Sequence, residues 1–146
     1  MLIEIKIDEN CKEPKIIVIT EKMTDEVNAA VKALSGEHAK IIAGFRDDTG
    51  TILEPSEIYR IFALSGKVFA ETVHGEYTLR LRLYEAEQRL DGRDFVRISN
   101  SDIINLKKIK NFDLSLAGTI CITLSNGTVT YVSRRSVAKI KQLLGV

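Results

Sequence analysis

No apolar run in this 146-residue chain approaches the roughly 20 residues that a membrane-spanning helix requires. Stretches such as Ile16-Ile17-Val18-Ile19 are far shorter. The amino terminus, Met1-Leu2-Ile3-Glu4-Ile5-Lys6-Ile7, alternates apolar and polar residues. It lacks the basic n-region, continuous apolar h-region and small-residue cleavage site of a signal peptide, so a cytoplasmic location is expected. Cysteine is scarce: Cys11 and Cys121 lie far apart, and neither has the spacing of a metal ligand. A disulfide is not expected in a reducing cytosol. The two histidines, His38 and His74, each stand beside a glycine-containing turn without a ligand-spaced neighbour. With two prolines and no low-complexity linker, the chain reads as one compact unit with an N-terminal extension.

The signatures of catalysis are also missing. No glycine-rich phosphate loop follows a strand, and neither a nucleophile elbow nor a zinc pattern occurs. Glu85 and Glu87 point in different directions on one helix, and Glu85 with Arg89 forms an ordinary i, i+4 surface pair. No nucleophile with a matching base is nominated, so neither an enzyme nor a cofactor is expected.

What the chain does have is a charge dipole. Its net charge of +1 conceals a +6 segment over residues 95–146 and a −5 balance over the rest. A basic face rich in Arg, Ser and Asn suits a polyanion such as DNA.

The pattern of elements is mostly β. Ile3, Ile5 and Ile7 alternate with Glu4 and Lys6, which predicts a first strand, and Lys15 to Thr20 a second. Thr24 is placed to cap a helix carrying Asp25 and Glu26 in its first turn and Val27, Val31 and Leu34 on one face, closed at Gly36. From Lys40 onward, strands are predicted at 41–45, 58–64, 67–73, 77–81 and 95–98, with a short helix over 82–90 closing near Gly92. Ser101 is expected to cap a brief helical turn, Asp102 to Asn105. Strands at 119–124 and 128–132 flank Ser125-Asn126-Gly127, a strong hairpin signal. Ser133 is expected to cap a closing helix with Val137, Ile140 and Leu144 on one face.

Two segments carry the chemistry. Ser99-Asn100-Ser101 ends a strand; Asn100 has the donor and acceptor needed to pair with an adenine edge, and a helix start there would seat a phosphate. Ser133-Arg134-Arg135-Ser136 repeats the design. Its two arginines stand at a helix start, where the dipole disfavours cations, and their rigid forks match guanine or phosphate. Lys107, Lys108 and Lys110 add steering charge, and Lys67 after the Ser65-Gly66 turn is a third candidate contact.

Taken together these residues resemble a known family. Phe95-Val96-Arg97-Ile98-Ser99-Asn100-Ser101-Asp102-Ile103-Ile104-Asn105-Leu106, continuing through Lys107-Lys108-Ile109, is similar to the central motif of the LytTR DNA-binding domain. Val132 to Val137 with Lys139-Ile140-Lys141 resembles its closing motif, and Leu124-Ser125-Asn126-Gly127 its hairpin turn. The likeness spans about residues 40–146, leaving 1–39 as the strand–strand–helix extension. The first forty residues are too few for a phosphoacceptor receiver domain and lack its acidic cluster and parallel α/β repeat. The chain therefore looks like the small, free-standing LytTR regulators of bacteria.

The resemblance implies a mainly β fold, α+β overall, with an N-terminal β-β-α extension and a short C-terminal helix. It implies double-stranded DNA read in successive major grooves from loops between strands, on direct repeats, by a homodimer at least when bound. By motif, base reading falls to Lys67, Asn100 and Arg135. Backbone contacts fall to Ser99, Ser101, Lys107, Lys108, Ser133, Arg134, Ser136 and Lys139. One departure stands out: the residue before the Asn is often His in this family and is Ser99 here. Implied partners are a small membrane protein that sequesters the regulator and, for an activator, RNA polymerase. A competing expectation is a protein-interaction module whose basic face meets an acidic partner.

Overall fold

The computed structural model describes residues 1–35, 41–90 and 94–146. The expected helix stops at Gly36 and Gly92, and His38, lie outside the described residues. Two compact units are present, Met1–Glu37 and His38–Val146.

Among the described residues of the first unit one helix forms, α1 (Asp25–Ser35), where the sequence predicts it. The Thr24 hydroxyl accepts a hydrogen bond from the Val27 amide (3.2 Å), satisfying one of the donors left over at a helix start. Asp25 and Glu26 stand at the positive end of its dipole. The two strands expected before it do not form: none of the described residues ahead of α1 joins a ladder. Alternation supplies a strand with a face, but its backbone groups still need a partner strand. A turn separates those stretches, with the Asp8 carbonyl accepting from the Cys11 amide (3.1 Å) and Asp8 Oδ1 from the Asn10 amide (2.9 Å).

The second unit is mainly β, as expected. Its strands are β1 (Ile42–Arg46), β2 (Thr49–Leu53), β3 (Ile58–Leu64), β4 (Lys67–Thr72), β5 (Gly75–Leu79), β6 (Phe95–Arg97) and β7 (Asp102–Asn105). After these come β8 (Ile109–Asp113), β9 (Cys121–Leu124) and β10 (Val129–Tyr131). Two helices accompany them, α2 (Leu83–Arg89) and α3 (Val137–Leu144). Seven strands form one sheet in the order β2-β1-β5-β4-β3-β7-β6, and three form a second in the order β10-β9-β8. Every recorded pairing is antiparallel.

Two apolar cores follow from the strand period. Ile58, Ile61, Val68, Ala70 and Leu79 face one side of the large sheet and pack with Leu83, Ala86 and Leu90 of the α2 region. Val96, Ile98 and Ile104 face the other side and pack with Ile120, Ile122, Leu124, Val132 and Ile140, which joins the small sheet and α3. β7 belongs to both: neighbouring side chains point to opposite faces, so Ile103 enters the first core and Ile104 the second.

That double burial corrects the helical turn expected at 102–105. A strand buries both isoleucines on opposite faces, and Asp102, Ile103 and Ile104 pair in register with Phe62, Ile61 and Arg60. β2 and β8 were not predicted. β2 returns on β1 after the tight Asp47-Asp48 turn, and β8 is irregular, with a register shift between Ile109 and Asn111. In β1, Gly44 has no room for a side chain; a Cβ there would lie 2.8 Å from Tyr77 Cβ and 2.9 Å from Leu53 Cδ1.

The β9–β10 hairpin is held against the large sheet by one carboxylate. Glu71 on β4 accepts from Arg60 Nε (2.8 Å) and from Asn126 Nδ2 and Thr128 Oγ1 of the hairpin. Arg60 also reaches Asp102 Oδ1 at 3.0 Å, tying β7 into the network. Burial alone raises the Glu71 carboxyl, but the hydrogen bonds from Thr128, Arg60 and Asn126 and the Arg60 charge outweigh it. They hold it below its ordinary value of 4.5. A depressed folded pKa contributes stability above the unfolded value, and that stability is lost as pH falls through the folded one. Glu71→Gln is therefore expected to cost roughly 1–3 kcal/mol at pH 7. Thermal melts of parent and variant should converge as the pH is taken down from about 4.5.

Candidate nucleic-acid interface

The two motif segments meet at one end of the large sheet. Antiparallel pairing of Arg97 with Ile103, and the Ile98 amide donating to the Asp102 carbonyl (3.0 Å), leave Ser99-Asn100-Ser101 as a three-residue loop between β6 and β7. The loop is thus a hairpin tip, and no helix starts there to seat a phosphate. The Ser133 amide donates to the Ile98 carbonyl (2.9 Å), which sets the segment after β10 directly beside that tip. Arg134–Ser136 then forms a 3-10 turn leading into α3. Ser133 does not cap through its side chain; its hydroxyl donates to Ser136 Oγ at 3.2 Å.

A polar surface depression results. It collects Ser99 and Asn100 from the first segment, and Ser133, Arg135, Ser136 and Lys139 from the second. Arg135 Nη2 donates to Asn100 Oδ1 at 2.8 Å, so two expected base readers, 35 positions apart in sequence, touch. Both are exposed. The adjacent arginines diverge: a Cβ on Gly118 would lie 3.4 Å from Arg134 Nε, which places the Arg134 stem along the loop before β9. Ser101 stands at the loop's end, its amide donating to Ser99 Oγ (3.2 Å) and its hydroxyl to Asp102 Oδ2 (3.3 Å).

Two further residues line the depression that motif reasoning did not single out, Arg97 and Glu87. Arg97 Nη1 and Glu87 Oε2 are 2.9 Å apart. The sequence signal was thin: Arg97 reads as one strand charge among many, and Glu87 as a solvated helix position.

Lys67 lies at the same end of the sheet. Ser65 and Gly66 both take left-handed φ values (52° and 76°), the tight turn that suits a two-residue hairpin, and Lys67 pairs with Leu64 across it. The Ala63 amide donates to the Ser101 carbonyl (2.8 Å), so two strand spacings, roughly 10 Å, separate the Lys67 and Asn100 positions. Lys67 borders a second depression together with Arg80 and Arg82. Arg80 is stacked 4.0 Å over the Phe45 ring, and Arg82 is exposed at the start of α2. A cation at a helix start opposes the dipole, the same signal that marked Arg134 and Arg135, and it would have found Arg82.

Lys107 and Lys108 are not brought to this interface. They form a 3-10 turn at the far end of β7, where the buried Asn105 accepts from the Lys107 amide (3.0 Å) and donates to the Ile58 carbonyl (3.0 Å). Lys107 Nζ lies 3.4 Å from Asp94 Oδ2, and Lys108 Nζ 5.3 Å from the Tyr59 ring centre. Both make these local contacts at the opposite end of β7 from the Asn100 loop. Among the described residues no group of three or more His, Cys, Asp or Glu is arranged to hold a metal.

The architecture is thus a two-sheet β domain that presents Asn and Ser side chains from the β6–β7 loop and Ser and Arg side chains from the turn between β10 and α3. Residues 49–145 match the LytTr DNA-binding domain model, and the chain belongs to that family. It is 31% identical over 147 residues to an HTH-type transcriptional regulator of Staphylococcus aureus (strain NCTC 8325 / PS 47), covering 100% of this chain and 99% of the relative. A regulator of the same description from the bovine strain RF122 / ET3-1 is equally similar, at 31%. A LytTr DNA-binding domain from Bacillus cereus shares the fold, with a TM-score of 0.68 at 23% identity over 73% of this chain and 97% of that one. The relatives' names refer to a helix-turn-helix, yet here Ser99 and Asn100 sit on a hairpin loop and Arg135 and Ser136 on a 3-10 turn, with Lys139 on α3.

Proposed function

We propose that this protein is a transcription regulator that binds specific double-stranded DNA through the sheet end carrying Asn100, Arg135 and Lys67. The observation that carries this is the convergence of Asn100 and Arg135 at 2.8 Å in an exposed polar depression. An amide and a guanidinium side by side offer the two groups best suited to adenine and guanine edges in a major groove. Ser99, Ser101, Ser133, Ser136, Arg134 and Lys139 surround them as phosphate contacts, which fix register without reading sequence. Lys67, about 10 Å away, engages a neighbouring stretch of the duplex, with Arg80 and Arg82 on its phosphates. The family resemblance extends the reading to two copies on paired direct repeats.

Selection of binding sites from random duplex DNA at near-physiological salt tests this. The parent should recover a repeated motif, and an Asn100→Ala/Arg135→Ala double variant should recover none. Weak binding to all sequences alike, abolished by modest salt, would instead mark a steering patch on a protein-interaction module.

A further inference from the structure

Arg97 stands out because its guanidinium is bonded to the protein's own groups, although it borders the polar depression. Its guanidinium makes three contacts: Nε donates to the Ser99 carbonyl (2.7 Å), Nη2 to the Asn100 carbonyl (2.7 Å), and Nη1 to Glu87 Oε2 (2.9 Å). Two of these acceptors are backbone groups of the very loop that bears Asn100. Such a tip has few ladder bonds of its own to fix it, and an unfixed tip would lose conformational freedom on meeting DNA. Glu87, on α2, supplies the opposite charge. An isolated carboxylate at a DNA-facing surface would repel phosphate, whereas here it neutralises Arg97 and orients its fork. α2 is in turn anchored in the first core by Leu83 and Ala86, so the loop is tied to a helix packed on that core.

We propose that Arg97 and Glu87 are positioning residues that preset the Asn100 loop, and through the Asn100–Arg135 contact the second base reader, before DNA arrives. This rests on the DNA-reading function above. It assigns Arg97 to specificity although it spends no charge on phosphate. Lysine cannot replace it, because a point-charge ammonium on a flexible stem does not reproduce a planar fork spanning three acceptors. Glutamine can partly replace Glu87, because its amide oxygen still accepts from Arg97.

The test uses the full chain, with Arg97→Lys, Glu87→Ala and Glu87→Gln compared to the parent. Amide hydrogen exchange without DNA reads the loop: the Ser101 amide, bonded to Ser99 Oγ, should exchange at least about tenfold faster in Arg97→Lys and Glu87→Ala, with Glu87→Gln nearer the parent. Core amides of β7 should be unchanged, which separates loosening from unfolding. On the motif selected by the parent, Arg97→Lys should lose about tenfold or more of its preference over random duplex, with non-specific affinity and salt slope retained. Unchanged exchange at Ser101 would overturn the proposal, as would retained preference. A salt slope reduced by about one with uniform loss across sequences would also overturn it, since that marks a phosphate contact. If the parent itself selects no motif, the DNA reading fails on that result alone, and the exchange data still decide whether Arg97 and Glu87 set the loop.

Discussion

Replacing Arg135 by alanine is expected to weaken binding to the preferred duplex by roughly 1–3 kcal/mol, about 5- to 150-fold, and to blur selection at one base position. The reason is geometric. Arg135 stands exposed at the rim of the polar depression with one guanidinium nitrogen on Asn100 Oδ1. Its remaining donors are free of that contact, and a rigid fork loses less freedom per hydrogen bond than a flexible ammonium does. Because Arg135 and Asn100 share a hydrogen bond, their losses should not add. A double-mutant cycle is expected to return an interaction energy of about 0.5–3 kcal/mol, whereas Lys67 and Arg135, which share no contact, should be closer to additive. An Arg135→Ala variant that bound every sequence as well as the parent does would remove Arg135 from base reading. Titrations on matched and mismatched duplexes at one fixed salt concentration make the measurement.

Ile104→Ala is expected to be the most damaging single change to stability, at roughly 2–5 kcal/mol. Ile104 is fully buried, and it lies where β7 presses the large sheet against the core shared with the small sheet and α3. Truncation would leave a cavity on that seam, and close packing lets such a site relax only in part. The same seam carries the site: Ile98 precedes the Asn100 loop, and its carbonyl holds Ser133. Loss of stability in Ile104→Ala should thus come with weaker specific binding even where the protein remains folded. Denaturant unfolding monitored alongside DNA titration would show both. A cost below about 0.5 kcal/mol, as at an exposed position, would contradict the packing described.

Much of the β pattern was legible because strands and tight turns write local signals. Ser65-Gly66 and Ser125-Asn126-Gly127 named their hairpins, since left-handed backbone is cheap for few residues. Thr24 named the start of α1 through its hydroxyl. Errors fell where a local signal has two tertiary solutions. Asp102 to Asn105 carries a serine before it and a buried apolar pair within it, which a helical turn or a two-faced strand can accommodate. The partner Phe62 and the second core behind Ile104 chose the strand. Ile3 to Ile7 shows the converse: a clean alternation forms no ladder without a partner.

The order of residues alone sets which side chains are available to meet a polyanion: a +6 carboxy-terminal segment with Asn100, Arg134 and Arg135 set among serines. These are chemical properties of side chains and require no fold. Which of them lie together depends on the folded chain. A backbone hydrogen bond from Ser133 to Ile98 joined two segments more than thirty residues apart, while the run of β7 carried Lys107 and Lys108 away from the same loop. The fold also bonded Arg97 to its own loop. Such choices depend on strand register and core packing, which are non-local, and a side chain's partner is fixed only when distant backbone brings it within hydrogen-bond reach.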